Sequence, residues 1–196
     1  GNNKKDEPKP MVVPPEAKQK QDLAFLKGDW RSRTGLATAS GEKDLRPSYT
    51  LDDKGALTIA FEASTDRPTV INMTNHAYFN LAGQGTILNH SVHLNASKYT
   101  PADATLLPTG KIVTVTGTPY DFTTMHAIGD NIAQTDGEPN GYDLNYVVDG
   151  KPNAFRKAAT VSEPNSGRVL EVWSDEPGIQ FYSGNFLDGT LKGKSG

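Results

Sequence analysis

From Ala56 to Ser64 the chain alternates without a slip: Leu57, Ile59, Phe61 and Ala63 fall on one side, Thr58, Ala60, Glu62 and Ser64 on the other. A period of two is the mark of a strand with one covered face, and no helix can present it. Asp52-Asp53-Lys54-Gly55 stands before this run as a turn, and Tyr49-Thr50-Leu51 before the turn as a strand, so the segment reads as a hairpin. The remaining chain agrees in kind. Its 19 glycines and 13 prolines, against only 35% hydrophobic residues, favour many short strands joined by turns over a bundle of helices. The expected fold is all-β and antiparallel.

At 196 residues the chain has room for one domain with a real core. Lys and Arg number 20 and Asp and Glu 23, so no cationic field is available to hold nucleic acid or an anionic membrane. A small neutral ligand suits that balance. With no cysteine there is neither disulfide nor thiolate chemistry, and no apolar run approaches the roughly 20 residues of a membrane-spanning helix.

Taken in order, residues 1–21 are polar and carry Pro8, Pro10, Pro14 and Pro15, a composition too poor in apolar area to offset the entropy of ordering. They read as a flexible leader to a single domain, 22–196. The leader has the character of the segment behind the lipidated cysteine of mature bacterial lipoproteins, which points to a periplasmic or lipoprotein-derived protein; a plain disordered terminus fits as well. Glu16 to Leu26 permits a short helix stopped at Gly28, and Asp29 to Ser48 suits two short strands and a loop. After the hairpin, Asp66-Arg67-Pro68 turns the chain into β-branched Thr69, Val70 and Ile71, which should begin another strand. Further strands are expected at Ser91 to Asn95, Lys111 to Gly117 and Tyr142 to Val148, with a loop over 102–110 and a short helix from Thr123 to Ile132. Val169 to Trp173 and Ile179 to Tyr182 should pair as a hairpin about Asp175-Glu176-Pro177-Gly178, sending Gln180 and Tyr182 to one face and Ile179 and Phe181 to the other.

Chemistry concentrates between Val70 and Leu81, where Asn75, His76, Tyr78 and Asn80 crowd together more densely than a packed core requires. The other histidines read as bystanders. His90 and His93 have an odd spacing that sends them to opposite faces of a strand, so they make no metal pair and should be exposed, and His126 should be solvated. Gly189 to Ser195 imitates a phosphate loop with one residue too few between its glycines. No metal or cofactor is expected.

Three runs occur in order: T-N-H-A-Y-F-N-L at 74–81, G-Y-D-L-N-Y-V at 141–147 and P-G-I-Q-F-Y-S-G-N-F-L-D-G at 177–189. Together they resemble the aldose 1-epimerases (galactose mutarotases), over about Tyr49 to Gly196, while the first 48 or so residues do not match; the G-D-W-R-S-R-T-G-L run at 28–36 is faintly like small lipoprotein domains. The resemblance implies a portion of a large twisted β-sandwich and a reaction that interconverts the α and β anomers of a hexose. That reaction opens the hemiacetal ring: a base takes the anomeric hydroxyl proton, an acid protonates the ring oxygen, and the ring recloses on the other face. The resemblance assigns the acid to His76, suited to it because histidine ordinarily titrates near neutral pH. It assigns sugar contacts to Asp143, Gln180 and Asn75, and Tyr78 and Phe79 offer an apolar face to the ring. The sequence also departs from the family. Leu144 stands where a histidine is usual, and the family's Asn-Arg pair, its Leu-His-Gly-Gly run and the Leu-Glu-Thr-Gln run bearing the catalytic base do not occur. Impaired catalysis is therefore expected, with a non-catalytic carbohydrate-binding sandwich, or a truncated or fused lipoprotein-like product, as alternatives.

Overall fold

Ten strands follow one another in the computed structural model, which describes residues 43–66, 68 and 70–190. The leader, the helix expected at 16–26, most of the Asp29 to Ser48 segment and the end of the phosphate-loop imitation lie outside those residues. The described residues contain no α-helix, and no helix long and apolar enough to cross a membrane. The chain divides into two units, 1–77 and 78–196.

In the first unit, β1 (Lys43–Leu51) and β2 (Leu57–Thr65) form the antiparallel hairpin that the alternation predicts. Asp52 builds the turn: its Oδ1 accepts the amides of Lys54 at 2.9 Å and Ala56 at 2.8 Å, and Gly55 takes the φ of +83° that the turn demands. Register sets Tyr49 opposite Ile59 and Pro47 opposite Phe61, all four half-buried, while Ser48, Thr50, Thr58 and Ala60 are exposed. Beyond the hairpin the expected strand at Val70 is absent, since 70–80 is irregular and Val70 is 94% exposed. β-branched residues favour a pleated surface only where a neighbouring strand supplies the ladder, and here none does so among the described residues.

The second unit is a sandwich of two four-stranded antiparallel sheets. One contains β3 (Ser91–Leu94), β6 (His126–Ala127), β8 (Arg156–Ser162) and β9 (Val169–Ser174), in the order β6-β3-β8-β9. The other contains β4 (Lys98–Thr100), β5 (Val113–Thr114), β7 (Asp143–Val147) and β10 (Gly178–Tyr182), in the order β10-β7-β4-β5. Val92, Leu94 and Ala159 from the first sheet meet Tyr146, Leu144 and Phe181 from the second in one core, joined by Phe122 and Tyr142. Aromatic rings do much of the filling. Tyr142 stacks on Phe181 at 5.2 Å and meets the edge of Phe122 at 5.0 Å, and the fully buried Tyr146 hydroxyl donates to the Tyr120 carbonyl at 3.0 Å.

The structure corrects several expectations. Val169 to Trp173 and Ile179 to Tyr182 are strands, but they do not pair: β9 lies against β8 and β10 against β7, so Asp175 to Pro177 is a corner between the two sheets. Arg156 fixes that corner, its guanidinium donating to the carbonyls of Asp149, Ala154, Val148, Ser174 and Glu176. Lys111 to Gly117 contributes only two strand residues, and the strands at Lys98 and Arg156 go beyond the expected set. Thr123 to Ile132 is no α-helix but β6 followed by two 3-10 turns. His126 lies half-buried there, stacked on Phe122 at 4.4 Å with its Nε2 2.8 Å from the Asp121 carbonyl, so it is not simply solvated. Gly129 follows with its amide on the Leu88 carbonyl, where a methyl group would press on Leu88, and these tertiary partners draw the backbone away from helical bonding. His90 is the largest surprise of the four histidines: it is 2% exposed.

Candidate functional site

Tyr142, just before β7, and Leu144 and Tyr146 along it turn into the core, which leaves Asp143, Asn145 and Val147 on the outer face of the sheet. Along β10, Ile179 and Phe181 pack inward and Gln180 is exposed on the same outer face, the split that the sequence predicts. Antiparallel register sets Asp143 opposite Tyr182 and Asn145 opposite Gln180. Across that ladder Gln180 Nε2 donates to Asp143 Oδ1 at 2.8 Å, so two of the predicted residues, 37 positions apart, form one polar pair. Among the described residues the other carboxylate oxygen and the Gln180 amide oxygen have no hydrogen-bond partner, and both are acceptors suited to neutral hydroxyl donors.

The surroundings hold that pair in place. Tyr142 N–H donates to Ser183 Oγ at 2.8 Å and Ser183 N–H to the Tyr142 carbonyl at 2.9 Å, which locks the strand ends beside Asp143. Gly141 is required there, because any side chain on it would collide with Asn185. Tyr142 itself is buried, and burial pushes its phenol up to about 12, so it stays neutral beneath the site. Tyr78 closes one side, its ring 5.9 Å from that of Tyr182.

Asp143 and Gln180 are brought together within the second unit, and His76 and Asn75 belong to the first. Asn75 Oδ1 accepts the Ala77 amide at 3.0 Å, an Asx turn with His76 at its centre, and Asn75 Nδ2 donates to the Tyr49 hydroxyl at 3.3 Å. Asn75 thereby ties the His76 turn to β1. His76 is exposed. Among the described residues no group of three or more His, Cys, Asp or Glu side chains is placed to hold a metal ion.

The family model for aldose 1-epimerase matches residues 20–196. The chain belongs to the aldose 1-epimerase family. The match reaches further toward the amino terminus than Tyr49, where the resemblance of the motifs begins. Among the relatives of this family member, galactose mutarotase from Bos taurus is 45% identical over 158 residues, 80% of this chain and 45% of that protein. The aldose 1-epimerase of Escherichia coli (strain K12) is 36% identical over 145 residues, 72% of this chain and 42% of that one. Solved structures agree on the fold. An aldose epimerase homologue from C. elegans superposes with a TM-score of 0.68 at 30% identity, covering 76% of this chain and 45% of its own. Galactose 1-epimerase from Lactobacillus acidophilus NCFM gives 0.67 at 31% identity, covering 77% and 44%. The chain thus spans less than half the length of the relatives it matches.

In this epimerase-family chain the sheet also presents polar groups that the three motifs do not single out. Asn145 lies between Gln180 and Thr100 on the outer face, its Nδ2 donating to Thr100 Oγ1 at 3.1 Å, and Gly178 leaves room for its side chain. Alternation within G-Y-D-L-N-Y-V carries that signal, because Asn145 is two residues beyond Asp143 and must share its face. Thr100 has no comparable signal, since β4 is only three residues long.

Proposed function

We propose that this chain binds a free hexose through Asp143 and Gln180 and takes part in interconverting its anomers, with His76 as the acid that protonates the ring oxygen and Asn75 as a further sugar contact. The observation that carries the reading is the Asp143–Gln180 pair at 2.8 Å on an outward sheet face, in a member of the aldose 1-epimerase family. A carboxylate and an amide are the groups that orient a neutral polyol, the first accepting from hydroxyls and the second both accepting and donating. Galactose is the first sugar to test, because galactose mutarotase names the relatives at 45% identity.

The acid half of the reaction is better provided for than the base half. No Leu-Glu-Thr-Gln run occurs in the 196 residues, so this stretch of chain, taken by itself, opens the ring slowly. General acid and general base participation typically contribute about a hundredfold to ten-thousandfold each, so the acid alone leaves a rate above buffer that is lower by a factor of that size than the pair would give. The same missing run favours a second reading, a sugar-binding sandwich without turnover. Galactose titration of the isotopically labelled chain, followed by NMR, tests the shared part. Shifts at Asp143, Asn145 and Gln180 that vanish in Asp143→Ala support it; shifts confined to His93, or none, overturn it.

A further inference from the structure

Leu81 closes the T-N-H-A-Y-F-N-L run, and both polar atoms of its backbone are held by side chains from distant parts of the chain. His90 Nε2 accepts the Leu81 amide at 3.0 Å, while the Leu81 carbonyl accepts from Arg168 at 2.7 Å and from the Ser166 hydroxyl at 3.3 Å. An amide can only donate, so His90 Nε2 carries a lone pair and the neutral ring has its proton on Nδ1. That Nδ1 is buried with no hydrogen-bond partner among the described residues, a cost that the Nε2 contact offsets. The loop on the other side is equally built. Glu163, 2% exposed, accepts the amides of Asn165 and Ser166, and hydrogen bonding, from Ser166 first, pushes its carboxyl down to about 2.

Three residues before Leu81, Tyr78 is 57% exposed, and its ring lies 5.9 Å from that of Tyr182, the strand partner of Asp143. An exposed ring on an irregular segment keeps one place beside a ligand only if the segment is pinned nearby. Asn80 adds local bonds to Gly85 and Ala82, whereas the Leu81 contacts tie the segment to His90 and to the loop at 166–168.

We propose that His90 is a positioning residue: with Arg168 and Ser166 it clamps the Leu81 peptide and so holds the Tyr78 ring against Tyr182, making an apolar wall beside Asp143 on which a pyranose ring stacks. The proposal rests on the reading of Asp143 and Gln180 as sugar contacts. It accounts for a buried histidine that accepts one backbone amide and for an arginine that donates to the carbonyl of the same residue. Stacking of this kind suits a sugar whose ring hydrogens present an apolar face, which galactose does.

The test compares His90→Leu, which removes the acceptor, with His90→Gln, whose amide oxygen can take the place of Nε2, and with Arg168→Met, an exposed site whose change leaves the core alone. Three readings are taken: hydrogen exchange at the Leu81 amide, the nuclear Overhauser contact between the Tyr78 and Tyr182 rings, and the galactose dissociation constant. His90→Leu should speed Leu81 exchange and weaken galactose each about fivefold to tenfold, as expected for one lost hydrogen bond, and should abolish the ring contact while exchange at Tyr146 stays put. His90→Gln should recover all three, and Arg168→Met should move them in the same direction as His90→Leu. If His90→Leu does not fold, the glutamine and methionine variants carry the comparison. Unchanged Leu81 exchange and an intact ring contact in His90→Leu or Arg168→Met overturn the clamp, as does a glutamine variant that rescues stability but not galactose binding. Wild-type protein that binds no galactose overturns the hexose reading, and the exchange and ring-contact results then still decide the clamp.

Discussion

The β1–β2 hairpin and the sandwich beginning at Tyr78 obey the same alternation, yet their burial differs sharply. In the hairpin the inward residues Tyr49, Ile59 and Phe61 stay half-buried, whereas in the sandwich Val92, Tyr142 and Tyr146 are all but sealed from water. Two strands make one layer, and a layer alone covers neither of its faces; the sandwich closes because a second sheet meets the first across a shared core. Alternation therefore tells which residues share a face, and only the partner layer tells how much that face contributes to stability.

The largest expected effect comes from breaking the sandwich core. Tyr146→Ala should cost about 3–5 kcal/mol in urea denaturation, and Phe61→Ala on the hairpin no more than about 1–2 kcal/mol. Equal losses would mean that the hairpin holds a core of its own. Next in size is the corner between the sheets. Arg156→Met leaves five carbonyls without their donor and should cost about 2–3 kcal/mol, the range for charged hydrogen bonds, with cleavage by a protease appearing first near Asp175.

A smaller effect should separate the regions by pH. Glu163 is lowered from an ordinary 4.5 to about 2, so its stabilisation is complete above pH 4.5 and is lost as pH falls toward 2. Glu163→Gln should therefore be less stable than wild type at neutral pH and converge on it across that window; a constant difference down to pH 2 would contradict the assignment. Smallest of all, Thr58→Val on the outer face of the hairpin should change stability by less than about 0.5 kcal/mol.

Much of this is legible in the sequence, for reasons that particular residues make plain. The hairpin can be read because Asp52 and Gly55 are turn chemistry and Leu57 to Ser64 keep one period, both local facts. Gln180 and Asp143 can be named from their motifs, and their outward direction follows from alternation. The pairing of β9 with β8 and of β10 with β7 cannot, because Pro177-Gly178 makes as good a corner between sheets as a hairpin turn, and only the long-range contacts of Arg156 distinguish them. His90 escapes prediction for a similar reason. A histidine at a strand start is buried here by a partner nine residues away, Leu81, and by a loop at 163–168, neither of which its own neighbourhood announces. Val70 shows the reverse error, since strong local strand propensity finds no ladder.

We propose His76 as the acid with which this epimerase-family chain handles a free sugar. The direct measurement is polarimetry of freshly dissolved α-galactose, comparing buffer, the wild-type chain, His76→Ala and Asp143→Ala. The wild-type chain should equilibrate the sugar faster than buffer, by no more than the factor of about a hundred to ten thousand that one acid supplies, and either substitution should reduce that gain. Equilibration by His76→Ala as fast as by the wild-type chain would contradict the assignment of the acid. A wild-type rate well beyond about ten-thousandfold above buffer, more than one acid supplies, would show that a carboxylate already present in these residues serves as the base.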